Sequence, residues 1–382
     1  MTRPVELPEI GEDALDQPIE AVQPARGWLP RRRPALGLQP TPAPTLLFVL
    51  IGVALGPVGL NLLSATALFQ TQAIVWVALA VIGVFVGLGL AERPSDLTGR
   101  AYRDGAIIAT ISIPVVSAGL YLLLTQSQVP VAGALAGSCL IGLCASVSAA
   151  VHVSDEDSAE TRHAAYLADL DDLPLLVIGI AVVAALAGDN VLVRLAVTAA
   201  AGLAIGVTGI LLFERSDGSE RGLFVTGTVL LLAGVGAYLG TSPLLSGAVA
   251  AVVWAKLPGR ADRISASDLR LLQHPLVALL LVIAGAAVEW SLAVLWVTVC
   301  TIILRLAAKL LASLVISRLS CMSPGLLATV LLQPGVLGVA LALNAGQLLG
   351  PDARWIVSAV TISAVASEVL GSFLAHSYQD AA

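Results

Sequence analysis

The stretch Arg162-His163-Ala164-Ala165-Tyr166-Leu167-Ala168-Asp169-Leu170-Asp171-Asp172-Leu173-Pro174 opens an apolar run that extends to about residue 188. A run of that length can cross a bilayer as a helix. Yet its first half carries three carboxylates. Asp172 lies about 9 residues inside the run, hence about 13 Å deep at the helical rise. Ionisable groups at such a level are costly and usually mark an ion pathway or a proton relay. Long cationic side chains can snorkel back to water, but an aspartate is too short. Asp172 is therefore the first candidate for a transport site and Asp171 the second. Asp169 is shallower and lines the entrance.

The rest of the chain has the same character. Of 382 residues, 57% are hydrophobic and only 12% charged, with a mean hydropathy of +0.92. So few charges cannot cover the surface of a soluble protein this size. Apolar segments recur at about 45–64, 72–91, 104–124, 130–152, 163–188, 190–213, 222–240, 242–256, 274–290, 291–316, 323–347 and 353–376. They predict an all-α polytopic membrane protein of about twelve transmembrane helices in a lipid bilayer. Residues 1–44, rich in Pro, Glu, Asp and Arg, read as a disordered N-terminal tail without the apolar core of a signal peptide. Residues 45–376 form the transmembrane domain and 377–382 a short C-terminal tail.

The net charge of −6 excludes nucleic acid as a partner. Cys139, Cys144, Cys300 and Cys321 fall in or beside apolar segments with no metal-like spacing and read as small core residues. No redox, nucleophilic or metal-hydrolysis constellation is present, nor a Walker or Rossmann signature. Neither an enzyme nor a cofactor is expected.

The basic residues orient the segments. With the N-terminus inside, the cytoplasmic side collects Arg3, Arg26, Arg31 to Arg33, Arg93, Arg100, Arg103, Arg162, Arg215, Arg221, Lys256, Arg260, Arg263, Arg270 and Arg318, sixteen of the twenty. Only Arg194 and Arg354 fall outside. That asymmetry is the positive-inside pattern, and adding or dropping one helix would scramble it. Both termini are expected in the cytoplasm.

The other two cations, Arg305 and Lys309, lie one turn apart within the tenth segment. That segment runs opposite to the fifth, and Lys309 reaches nearly the level of Asp172, with Arg305 one turn deeper. The fourth segment carries the small and polar stretch Cys144-Ala145-Ser146-Val147-Ser148-Ala149, and the eleventh carries Gln333-Pro334-Gly335. Each alone also fits a packing face or a proline kink. Their matched positions suggest an inverted repeat with two broken helices, which must face a protein-lined cavity. Ser146, Ser148 and Gln333 are then candidate ligands.

A carboxylate in such a cavity holds a proton or a small hard cation, but not both. Adjacent carboxylates lose their protons in coupled steps. If the site faces one side of the membrane at a time, this competition becomes obligatory exchange. Lys309 would be the counter-ion of the metal-free site.

These residues resemble the bacterial cation/proton antiporters of the monovalent cation:proton antiporter-2 and sodium/proton exchanger type. Ile51-Gly52-Val53-Ala54-Leu55-Gly56-Pro57-Val58-Gly59-Leu60 resembles that family's opening motif, and Gly83 to Leu90 its second segment, with Gly89 where Glu is common. Arg162 followed by eight residues and then Asp171-Asp172 is similar to the family's Arg and acidic pair. The resemblance gives Asp172 the ion-binding position and Asp171 the variable one, and an Asp-Asp pair resembles the electrogenic branch. Ser242-Pro243-Leu244-Leu245-Ser246-Gly247-Ala248, Arg305-Leu306-Ala307-Ala308-Lys309-Leu310-Leu311 and Gln333-Pro334-Gly335-Val336-Leu337-Gly338 resemble three further motifs.

The resemblance covers about 45–376. It implies an inverted-repeat fold with two crossed, broken helices, and a core of spans three to five and ten to twelve moving against a scaffold. It also implies a homodimer in the inner membrane that exchanges a monovalent cation (Na⁺, K⁺ or Li⁺), held by Asp172 and Asp171, for protons. Four departures stand out. The family's additional N-terminal span and the nucleotide-sensing domain of its potassium-efflux branch are not expected here. Pro174, two residues after Asp172, would bend the helix at the site. The fourth segment offers Ser146 and Ser148 but no Thr.

Glu368 in the last segment is a further buried-carboxylate candidate. The loop holding His152, Asp155, Glu156, Asp157, Glu160, Arg162 and His163 reads either as a cation-attracting funnel or as a solvated acidic loop. Trp76, Trp254, Trp290, Trp296 and Trp355 are expected in an interfacial belt. A sodium-coupled organic-anion symporter and a non-transporting membrane sensor or scaffold are the alternatives from other functional classes.

Overall fold

The computed structural model describes residues 44–91, 99–127, 133–148, 159–171, 174–187, 190–215, 218–256, 266–320 and 322–379. The tail up to residue 43 and the last three residues lie outside them.

Apolar runs broken by Gly, Pro or charge set the helices. In chain order they are α1 (Pro44–Leu55), α2 (Ala65–Gln70), α3 (Gln72–Ala91), α4 (Gly99–Ser127), α5 (Ala134–Ser146), α6 (Ala159–Leu170) and α7 (Ile180–Leu186). They continue with α8 (Val191–Arg215), α9 (Gly218–Leu239), α10 (Pro243–Lys256), α11 (Ala266–Ala286), α12 (Leu292–Ser320), α13 (Pro324–Leu332), α14 (Val336–Leu349) and α15 (Arg354–Gln379). Six of these are long and apolar enough to cross a membrane, and six shorter apolar helical stretches accompany them. Each of the twelve falls in one expected segment. Leu192, Tyr238 and Leu292, all more than three-quarters exposed, show the apolar outer surface that lipid covers.

The short helices have local causes. The first segment was expected to run to residue 64, but α1 stops at Leu55, where Gly56-Pro57 turns the chain. The backbone N–H groups of Leu60 and Leu63 return to the carbonyls of Ala54 and Leu55, both at 2.7 Å. Two other segments are broken in the middle. α5 runs into extended backbone at Val147 (φ −64°, ψ 131°). α13 ends at Gln333, also extended (φ −66°, ψ 125°), because the residue before a proline is driven out of the helical region. The two breaks meet: Ser148 and Pro334 form the isolated antiparallel β-bridge. This is an all-α polytopic membrane fold, with two interrupted helices crossing at their breaks. The chain beyond Ser148 to residue 158 lies outside the described residues.

Around the crossing, α4, α5, α6 and α12 to α15 pack on one another, while α3, α8, α9 and α10 pack together and share a separate apolar cluster. α3 and α10 approach backbone to backbone. A Cβ at Gly83 would overlap the Leu244 carbonyl, and one at Gly247 would lie 2.5 Å from the carbonyl oxygen of Ala80. Small residues permit such contact between membrane helices.

The tryptophans divide. Trp290 and Trp296 are about half exposed, as a belt requires. Trp76 and Trp254 are buried against other helices, so the belt expectation fails for these two. Trp254 donates from Nε1 to the Gly206 carbonyl at 2.9 Å. Trp254→Phe removes that donor from a buried carbonyl and should lower stability by about 1–3 kcal/mol in thermal unfolding of the purified protein.

Candidate functional site

Four side chains and four backbone carbonyls converge on the crossing. Asp171 follows the last residue of α6, its N–H still bonded to the Leu167 carbonyl at 3.2 Å. The chain is next described at Pro174, which leads into a π-helical turn at Leu175–Gly179 before α7. The proline thus marks a distorted helix beside the acidic pair, as expected, and π-turns recur at functional sites.

Lys309 of α12 and Asp171 are both fully buried, and the ammonium pairs with the carboxylate oxygen Oδ2. Lys309 also donates to the Ser146 carbonyl and, at 3.0 Å, to Ser148 Oγ. The Ser148 hydroxyl has two acceptors in reach, Asp171 Oδ2 at 3.1 Å and the Leu331 carbonyl at 3.0 Å. It has one hydrogen, so it serves one of them at a time. One turn along α12, Arg305 is also buried and donates from Nη2 to the Val147 carbonyl at 2.9 Å and the Gln333 carbonyl at 3.5 Å. The two cations of α12 therefore hold the orphan carbonyls at both helix breaks. Asp171 Oδ1 is buried and has no hydrogen-bond partner among the described residues.

The structure thus brings Asp171, Lys309, Arg305 and Ser148 together with the backbone of Ser146 and Gln333. The Ser146 hydroxyl turns away to the Leu143 carbonyl at 2.8 Å. Asp172 lies outside the described residues, as do the side chains of Asp169 and Arg162 and the loop residues His152, Asp155, Glu156 and Asp157. Glu368 of α15 is half-buried, and its carboxylate takes a hydrogen bond from the backbone of Leu46 in the first turn of α1. Cys144 and Cys300 are buried, as expected of core residues, whereas Cys139 is only partly buried; none of the three is in a disulfide, and Cys321 lies outside the described residues.

Asp104 is not among the candidates that the sequence singles out. It is the first residue of the third apolar segment and looked like a boundary charge, but it is fully buried. The signal was its neighbour Arg103, whose Nε and Nη2 bind Asp104 Oδ1 at 3.0 and 2.8 Å.

No protein-family model matches the sequence, and no curated protein matches it by sequence. Among solved structures, the chain is similar to the sodium proton antiporter MjNhaP1 from Methanocaldococcus jannaschii at pH 8. The TM-score is 0.58 at 16% identity, covering 86% of this chain and 90% of that one. At that identity the likeness is one of fold.

Proposed function

We propose that the chain is a secondary transporter that exchanges a monovalent cation for protons by alternating access. The observation that carries this is the fully buried Asp171–Lys309 pair set on the carbonyls of the helix breaks. A carboxylate and an ammonium withdrawn from water cost several kcal/mol each, which packing alone does not require. A cation arriving at Asp171 displaces Lys309, and a proton arriving neutralises the carboxylate. Either event excludes the other. Oδ1 of Asp171, which has no hydrogen-bond partner among the described residues, offers an acceptor for the incoming ion.

Asp172, next in the chain, is the second carboxylate of the site and by the family resemblance its main ion ligand. The ion is Na⁺, K⁺ or Li⁺, and the paired acids favour electrogenic exchange. Spans three to five and ten to twelve move as the core against the remaining spans, in a homodimer of the inner membrane with both termini in the cytoplasm.

The test uses everted membrane vesicles carrying a pH gradient. Wild-type protein should dissipate the gradient when Na⁺, K⁺ or Li⁺ is added, and Asp172→Asn should not. Full exchange by Asp172→Asn would remove that residue from the site. Cation-independent uptake of an organic anion by the wild type would replace the whole reading.

A further inference from the structure

The buried carboxylate of Asp104 has its own set of partners at the end of the bundle where α4 begins and α12 finishes. Arg103 occupies Oδ1. Oδ2 accepts from Ser320 Oγ, the last residue of α12, at 2.5 Å. The imidazole Nε2 of His163 on α6 lies 3.5 Å from the same oxygen, with its side chain 26% exposed. Among these partner types only an imidazole ordinarily gains or loses a proton near neutrality, and water reaches this one.

From α4 the facing charges are Asp104 and Arg103, and α12 contributes the neutral hydroxyl of Ser320. α13, which packs on α6, has no titratable side chain. Glu160, on the same helix as His163, accepts from the backbone N–H of Ser323.

The helices joined here are the ones that carry the central pair. His163 and Asp171 are 8 residues apart, about 12 Å along α6, and Lys309 and Ser320 are 11 apart, about 16 Å along α12. α6 and α12 are thus tied twice, once at the crossing and once through Asp104.

We propose that His163 and Asp104 form a second proton site, separate from Asp171, and that a proton bound there favours the Asp171–Lys309 pair over a bound cation. A charged imidazole gains an ion pair with the buried carboxylate, while a neutral one keeps only a long contact. The ion pair draws α6 toward α4 and α12, and whatever holds α6 to α12 at one level favours their contact at the other. A cation has to part Asp171 from Lys309, so it works against the proton. By linkage, cation loading weakens proton binding at His163 equally. The effect on transport rests on the exchange reading above, whereas the tie itself does not.

Purified full-length protein in proteoliposomes, assayed with Na⁺, K⁺ and Li⁺ in turn, tests the coupling. Apparent KM is measured at pH 6.5 and 8.5 for wild type, His163→Gln, His163→Arg and the double variant His163→Arg with Asp104→Asn. Direct competition at Asp171 is common to all four. His163→Gln should lose about fivefold of the wild-type change in KM with pH. His163→Arg, with a fixed charge, should keep KM at pH 8.5 about fivefold above wild type, and Asp104→Asn should cancel that rise. Parallel KM profiles for wild type, His163→Gln and His163→Arg would overturn the coupling.

Thermal unfolding at pH 6 and 8 needs no transport. Wild type should gain stability over His163→Gln on the acid side only, and an equal pH dependence would overturn the tie. An absence of exchange in wild type sinks the exchange reading and the KM effect, while unfolding still decides the proton site.

Discussion

Asp171→Asn is expected to abolish cation-driven proton release and to lower stability by about 3–5 kcal/mol. Both groups of the pair are fully buried, so the substitution takes a buried anion away from the Lys309 ammonium. The Ser146 carbonyl and the Ser148 hydroxyl, which also hold the ammonium, are neutral groups and do not replace the lost charge. Thermal unfolding and everted-vesicle exchange read the two effects separately. The double variant Asp171→Asn with Lys309→Met tells them apart, because replacing a buried ion pair with neutral groups of similar volume is often harmless. It should recover most of the stability and none of the exchange. Recovery of exchange would show that the pair is structural.

Gly335→Ala should cost about 1–3 kcal/mol and most of the exchange rate, through overpacking at the crossing. Gly335 sits at φ −81°, which alanine adopts freely, so the effect is one of space alone. Its added methyl would overlap the Val147 side chain and lie 2.8 Å from the Ser148 carbonyl oxygen. Relieving that contact separates the two extended segments and moves the carbonyls that Arg305 holds. Gly371→Ala is the matched control, since its methyl would meet Gln333 at an ordinary 3.7 Å. It should change stability by no more than about 0.5 kcal/mol. Equal losses from both variants would mean that the crossing is not specially intolerant.

Much of the architecture was legible because membrane helices must satisfy their own backbone, which makes apolar run length a strong signal. Pro334 and the Ser-rich end of the fourth segment pointed to breaks because an interruption inside lipid needs a compensating partner. Lys309 and Arg305 stood out as candidate site residues because of their depth, and the structure buries both at the crossing. Their hydrogen bonds to the Ser146, Val147 and Gln333 carbonyls were not, because residue type says nothing about a backbone acceptor. Asp104 escaped notice because a charge at a segment boundary usually faces water, and only the packing of α6 and α12 over it buries this one. The burial of Trp76 and Trp254 was hidden for a related reason. Periodicity marks where a helix lies in depth, not which flank meets another helix.

The backbone contact between α3 and α10 restricts how the molecule can move. Where Gly83 lies on the Leu244 carbonyl and Gly247 lies near that of Ala80, there is no side chain to yield. Turning α3 about its own axis by about 100°, the angle between neighbouring residues, would swing the isopropyl group of Val84 onto a peptide plane. These two helices can rotate or translate only as a single slab. Any large displacement has to occur along seams where side chains, rather than main chains, face each other.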